Sequence, residues 1–254
     1  DLYLPAEKVD ARRPAVVIVH GGGWHGGDKF AAREQNIGNA LAAAGYVCAS
    51  VNYRLCEKSD DLALRLRQVF PGNLEDCRTA VRFLRHNADK YSIDPDHIGA
   101  IGGSAGGHLA AMLAVVDSDN SLGFTDKRLY PDYSSRVQAV VPMYGVHDVL
   151  LRAQQANNKL TPEDEELCRV ASPVTHVSSD DPPALILHGT QDDLVPVEQS
   201  KILQARLTES KVTSTLIVIE GAPHSFHLQP KQRDLRPTVI DFFNRHLKPN
   251  TKKK

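Results

Sequence analysis

From Ile98 to Val116 the chain reads Ile-Gly-Ala-Ile-Gly-Gly-Ser-Ala-Gly-Gly-His-Leu-Ala-Ala-Met-Leu-Ala-Val-Val, 19 consecutive positions without Asp, Glu, Lys or Arg. That is close to the length of a bilayer span, and Gly102 and Gly106 have the spacing at which membrane helices approach one another. The segment therefore lies in lipid or is enclosed within a protein core. Five glycines and a central His108 make a poor hydrocarbon helix, because glycine weakens helices and an imidazole finds no partner in lipid. Enclosure needs other apolar elements around the segment, and the rest of the 254 residues provides them.

Ala15–Val19 and Tyr46–Val51 are short continuous apolar runs, the pattern of strands buried on both faces. Residues 31–44 between them are Ala-rich and helical in character, with Gly45 placed to end the helix. Leu74, Cys77, Val81 and Leu84 mark one face of an amphipathic helix over 73–90. Further strands are expected at His97–Gly102, Val137–Tyr144, Pro183–His188 and Thr215–Glu220, and helices at 105–116, 197–208 and 232–246. Such alternation predicts an α/β domain with a mostly parallel sheet wrapped by helices, spanning 1–254 as one unit. It breaks once, over 145–181, where Thr161-Pro-Glu-Asp164 starts a short helix with a capping Thr, Pro in the first turn and Asp at the positive end. This segment is expected to be an insertion over the sheet edge, acting as a cap or lid.

Composition narrows the function classes. Thirty basic against 31 acidic residues leave a net charge of -1, which gives no reason to expect nucleic acid or an anionic membrane as partner. Cys48, Cys56, Cys77 and Cys168 are too few and too scattered for a disulfide framework or a zinc site, and are expected as small core hydrophobes, with no metal implied. The chain starts at Asp1 rather than Met, consistent with an exported protein whose leader is absent.

Gly21, Gly23 and Gly26 fit a dinucleotide fingerprint after a strand, but His25-Gly26-Gly27-Asp28-Lys29 prolongs a loop where a helix should open, and the second strand ends without an acidic residue. A phosphate loop fails too, since Gly27 is followed by Asp28. His20-Gly21-Gly22-Gly23-Trp24 reads instead as a tight turn or as unshielded backbone N–H groups for a developing oxyanion. Gly102-Gly103-Ser104-Ala105-Gly106 decides between them: it fits G-x-S-x-G where a strand meets a helix, the setting of a nucleophile elbow. Gly102 and Gly106 leave room for strand and helix to close up, and the helix dipole favours negative charge near Ser104. Asp192 and His224 each follow a later strand, in the order Ser, acid, His, on the edge where all parallel strands end.

On these residues the chain resembles the α/β-hydrolase superfamily, and is similar to hormone-sensitive-lipase-like carboxylesterases and to polysaccharide acetyl and feruloyl esterases. The resemblance runs through HGGGWHGGDK at 20–29, Val51-Asn-Tyr-Arg-Leu55, GGSAGGH, Ser172-Pro173, HGTQDDLVP at 188–196 and GAPHSF at 221–226. It implies an α/β-hydrolase fold with helices on both faces and a small cap, and a cofactor-free serine esterase acting on a small-molecule or carbohydrate ester. Ser104 would be the nucleophile, His224 the base and Asp192 the orienter, with oxyanion donors at Gly22, Gly23 and Ala105. Gly103 stands where the lipase-like branch has Asp, which favours the polysaccharide-esterase branch; Asp193 replaces a Pro and competes with Asp192. A short insertion suggests acyl groups from acetyl to butyryl. The rivals are a prolyl-oligopeptidase-type peptidase, for which the chain lacks a propeller, and a non-catalytic hydrolase-like binding protein. Trp24 is expected to wall the acyl pocket or to pack; His20, His108 and His188 to be structural; His227 to support His224; Arg54 to pair with Asp76; and Asp148 to cap or turn.

Overall fold

The computed structural model describes residues 1–7, 11–117, 122–123 and 128–248. In β2 (Arg13–Val19), Ala15, Val17 and Val19 face one apolar layer while Val16 and Ile18 face another. A strand with both faces covered needs apolar residues at every position, which explains the unbroken run. Among the described residues β2 belongs to a seven-stranded sheet with β1 (Leu2–Tyr3), β3 (Val47–Val51), β4 (Ile93–Gly103), β5 (Ala139–Met143), β6 (Ala184–Gln191) and β7 (Ser214–Pro223). The order is β1-β3-β2-β4-β5-β6-β7. β1 is antiparallel to β3 and every other pairing is parallel. This is the α/β-hydrolase architecture.

Helices lie on both faces. Ile37 and Leu41 of α1 (Ala32–Ala43) and Val239, Phe242, Phe243 and Leu247 of α9 (Arg236–Leu247) fill one layer. The other layer holds α2 (Leu62–Val69), α3 (Gly72–His86), α5 (Ala105–Val115) and α8 (Glu198–Glu209), with Leu74, Cys77, Val81 and Leu84 of α3 inward as their spacing requires. The uncharged run is the end of β4, the turn at Ser104, and α5, every residue of which is buried. No helix among the described residues is long and apolar enough to cross a membrane. All four cysteines are buried, and burial raises each thiol pKa.

Several boundaries have local causes. α1 ends in a Schellman motif: Gly45 at φ 93 donates to the Ala42 carbonyl and Tyr46 to that of Leu41, both at 3.0 Å. The helix expected over 73–90 is divided, because Asn87 leaves helical geometry and its side chain donates to the Phe83 carbonyl at 2.8 Å; α4 (Ala88–Tyr91) then ends at Ser92, φ 53. β5 is shorter than expected because the chain turns at Tyr144, φ 37. β1, α2 and α6 (Val149–Gln155) had no counterpart among the expected elements.

Segment 145–181 carries α6, α7 (Pro162–Val170) and a 3-10 turn at Pro173–Thr175. Thr161 caps α7 in a reciprocal capping box with Asp164, and Asp148 caps α6 by accepting from the Leu151 N–H. Asp164 also accepts from Arg67 Nε of α2 at 2.7 Å, and α2 packs against both α6 and α7. The three helices thus form one patch above the sheet edge at which the parallel strands end.

Candidate active site

β4, β6 and β7 end on that edge, followed directly by Ser104, Asp192 and His224. Ser104 has φ 58 and ψ -123, a conformation rare for L-residues, which turns its side chain out of the strand as α5 begins. The turn is held by the Ser104 N–H donating to the Met143 carbonyl at 2.9 Å. The start of α5 approaches the end of the neighbouring strand β2 so closely that a Cβ on Gly106 would lie 2.1 Å from the Val19 carbonyl oxygen. Glycine is required there by contact.

His224 Nε2 is 2.9 Å from Ser104 Oγ, and its Nδ1 is 2.6 Å from Asp192 Oδ2. A carboxylate only accepts, so Nδ1 carries the proton and Nε2 is free to accept from the serine hydroxyl. Asp192 Oδ1 accepts from the N–H groups of Leu194 at 3.0 Å and Val195 at 2.8 Å. Burial by itself would raise the Asp192 pKa, but the bonds from His188, His224 and the Val195 N–H outweigh it and hold the carboxyl well below its usual range. Adjacent Asp193 is exposed and outside this chain of bonds.

Gly22, Gly23 and Ala105 line the same cleft as Ser104 and His224, a space of about 690 Å³. Gly22 at φ 119 and Gly23 at φ 60 curl the loop, and the Gly22 carbonyl accepts from the His25 and Gly26 N–H groups. Ala105 opens α5, where first-turn N–H groups have no acceptor within the helix. Trp24 packs, 2% exposed with its ring edge-on against His108 at 5.1 Å, and also lines the cleft.

The BD-FAE family model matches residues 1–207 of the 254. The chain belongs to the BD-FAE family. The match takes in Ser104 and Asp192 and stops before His224. Over 95% of its length the chain is 31% identical to Esterase LipQ of Mycobacterium tuberculosis, covering 58% of that protein. It spans about half to three fifths of the mycobacterial esterases it matches. Among solved structures, a truncated carbohydrate esterase from gut microbiota is 29% identical with a TM-score of 0.79, over 96% of this chain and 89% of that one. Propionate-bound esterase Est2 of Thermogutta terrifontis is 27% identical with a TM-score of 0.76, over 98% and 90%.

This BD-FAE chain surrounds the three residues with His188, expected as a structural histidine, and Tyr144, which the strand-end pattern does not single out. His188 is fully buried; its Nε2 lies 2.8 Å from the Val195 carbonyl and 3.3 Å from Asp192 Oδ2, and Ser200 Oγ is 2.7 Å from Nδ1. Both Nε2 neighbours only accept, so Nε2 bears the proton and His188 braces the acidic loop directly. Tyr144, also fully buried, donates from Oη to the Phe226 carbonyl at 2.5 Å, accepts from Arg33 at 3.3 Å and stands edge-on to the His224 ring at 4.9 Å. A Cβ on Gly103 would meet Tyr144 Oη at 2.5 Å, so a side chain there would have to displace this buried tyrosine.

The remaining expectations divide. Arg54 pairs with Asp76 at 2.8 Å. His108 Nε2 lies 2.7 Å from the Ala171 carbonyl, and His20 stacks on Tyr53 at 4.2 Å beneath the glycine loop. His227 does not support His224: it is exposed and accepts from the Gln229 N–H, because the chain turns here instead of forming the helical turn that would align the two rings.

Proposed function

We propose that this chain is a carboxylic-ester hydrolase working through an acyl-serine intermediate. The observation that carries the proposal is the unbroken series Asp192, His224, Ser104, at 2.6 and 2.9 Å, opening into a cleft lined by the glycine loop and the start of α5. Ser104 Oγ attacks the ester carbonyl as its proton passes to His224 Nε2, and Asp192 stabilises the imidazolium through Nδ1–H. The N–H groups of Gly22, Gly23 and Ala105 receive the oxyanion. His224 then protonates the departing alcohol and activates the water that releases the acid.

The substrates we propose are acetyl to butyryl esters, with a carbohydrate as the alcohol; feruloyl esters are the second acyl class. The naming of LipQ as an esterase, the carbohydrate esterase and the propionate-bound Est2 support this choice, as does a cleft of about 690 Å³ flanked by short helices. The 145–181 segment, together with α2, serves as the cap. Ser104→Ala should lower turnover of p-nitrophenyl acetate about 10^3-fold or more, since triad members act as a unit. Wild-type turnover by that variant would sink the mechanism.

A further inference from the structure

The cleft is walled on its cap side by Arg65 of α2 and Arg152 of α6, and their surroundings set them apart from nearby arginines. Two residues along α2, Arg67 is neutralised by Asp164; in the loop before α2, Arg54 is neutralised by Asp76. Among the described residues neither Arg65 nor Arg152 has a carboxylate within ion-pairing distance. Each is half-buried and engages main-chain carbonyls: Arg65 Nε that of Ser59 and Nη1 that of Gly23 at 3.5 Å, Arg152 Nη2 that of Leu194 at 3.3 Å. A guanidinium has five N–H donors, so the two bonds of Arg65 orient its plane, the one bond of Arg152 tethers it, and donors are left over on each.

We propose that Arg65 and Arg152 form a carboxylate-binding subsite, so that the preferred ester carries a negative charge on its acyl or its alcohol portion. This rests on the ester-hydrolase reading and narrows its substrate class. The fork of N–H groups on arginine matches a carboxylate in shape, and a recess bounded by protein strengthens the attraction relative to open water. Among the described residues Asp60, which is exposed, is the one carboxylate residue lining the cleft, where it faces two arginines. The two arginines also reach the loops that carry the reacting groups. Arg65 touches the Gly23 carbonyl of the glycine loop, and Arg152 touches the Leu194 carbonyl beside the Asp192 turn. An acyl half-ester and an esterified uronic acid both offer the required group.

Two matched pairs of esters separate these sources: p-nitrophenyl hemisuccinate against p-nitrophenyl butyrate for a charge on the acyl side, and 4-acetoxybenzoate against its methyl ester for a charge on the alcohol side. The readout is the ratio of kcat/KM for the charged ester to that for the neutral one. It should fall about tenfold or more in Arg152→Gln and in Arg65→Gln for one of the pairs, the loss expected when a charge-assisted bond is removed. Arg67→Gln, which alters an arginine already paired outside the cleft, should leave the ratio as it was. Ratios unchanged in both arginine variants, for both pairs, overturn the subsite. The same four esters titrated onto Ser104→Ala protein read the subsite through Kd without turnover. Absence of wild-type turnover with all four esters would refute the hydrolase reading, whereas a charge preference in Kd that does not depend on Arg65 and Arg152 would refute the subsite.

Discussion

Tyr144 joins three parts of the site. Its ring packs on His224 and Phe226, its hydroxyl bonds the Phe226 carbonyl, and Arg33 of α1 donates to that hydroxyl. Burial is the main influence on its phenol, pushing the pKa up to about 12 against the pull of Arg33, so it stays a donor. Tyr144→Phe keeps the packing and removes the bond, leaving the Phe226 carbonyl without this donor. Stability should fall by about 1–2 kcal/mol, and kcat should drop severalfold with little change in KM, because the loop bearing His224 loses an anchor that touches no substrate. Thermal melts and steady-state kinetics test this; a change confined to KM would contradict it. Ser104, Asp192 and His224 were legible as candidates because each follows a strand and they occur in the order Ser, acid, His, with glycines around Ser104. Tyr144 was not, since in an apolar run it reads as core and its partner lies 82 positions away. The choice between Asp192 and Asp193 likewise depends on a turn that buries one carboxylate and exposes its neighbour.

The junction of α5 with the end of β2 shows how one element pair limits sequence. A Cβ on Gly106 would fall 2.1 Å from the Val19 carbonyl oxygen and 2.5 Å from that of His20, both main-chain atoms of a central strand end that cannot swing aside. Gly106→Ala should therefore cost about 1–3 kcal/mol or more, the range for overpacked cores, and should lower the melting temperature along with activity. An alanine variant with wild-type melting would mean the junction has slack. The strands were legible as short apolar runs bounded by turn residues, and α3 through its 3,4 spacing. α2 was not. Leu62, Leu64 and Leu66 alternate like a strand, and only the fold shows that Leu62, Ala63, Leu66 and Val69 face inward while Leu64 is 42% exposed. Its N-cap, Asp61, accepts from the Ala63 and Leu64 N–H groups, a signal present in the sequence but masked by the neighbouring acidic Asp60. With α2 and α6 unread, the arginines they carry into the cleft were unread as well.

For the molecule as a whole, net charge said nothing about where titrating groups are enclosed, and this sets the response to acid. His108 and His147 are fully buried in the layer beneath the cleft. Burial pushes the His108 pKa down to about 4, only partly offset by its bond to the Ala171 carbonyl; burial, reinforced by His108 and His188, holds His147 well below its usual range. In the unfolded chain such groups take up protons near pH 6.5. As pH falls from there towards 4, the unfolded state binds protons that the folded state refuses, and stability declines. For His108 alone the linkage amounts to roughly 3 kcal/mol over that window. Asp192 acts in a lower window: its contribution is full above the unfolded carboxylate value of about 4 and is lost only as pH falls through its depressed folded value. His108 alone should therefore lower the melting temperature by about 5–10 °C between pH 7 and 4.5, with His147 adding to the fall, before any carboxylate effect. In His108→Gln an amide can still donate to the Ala171 carbonyl but cannot titrate, so the slope of stability against pH over this range should decrease by about one proton. Chemical denaturation at intervals of pH measures that slope directly, and an identical slope in wild type and variant would exclude His108 as the source of the acid sensitivity.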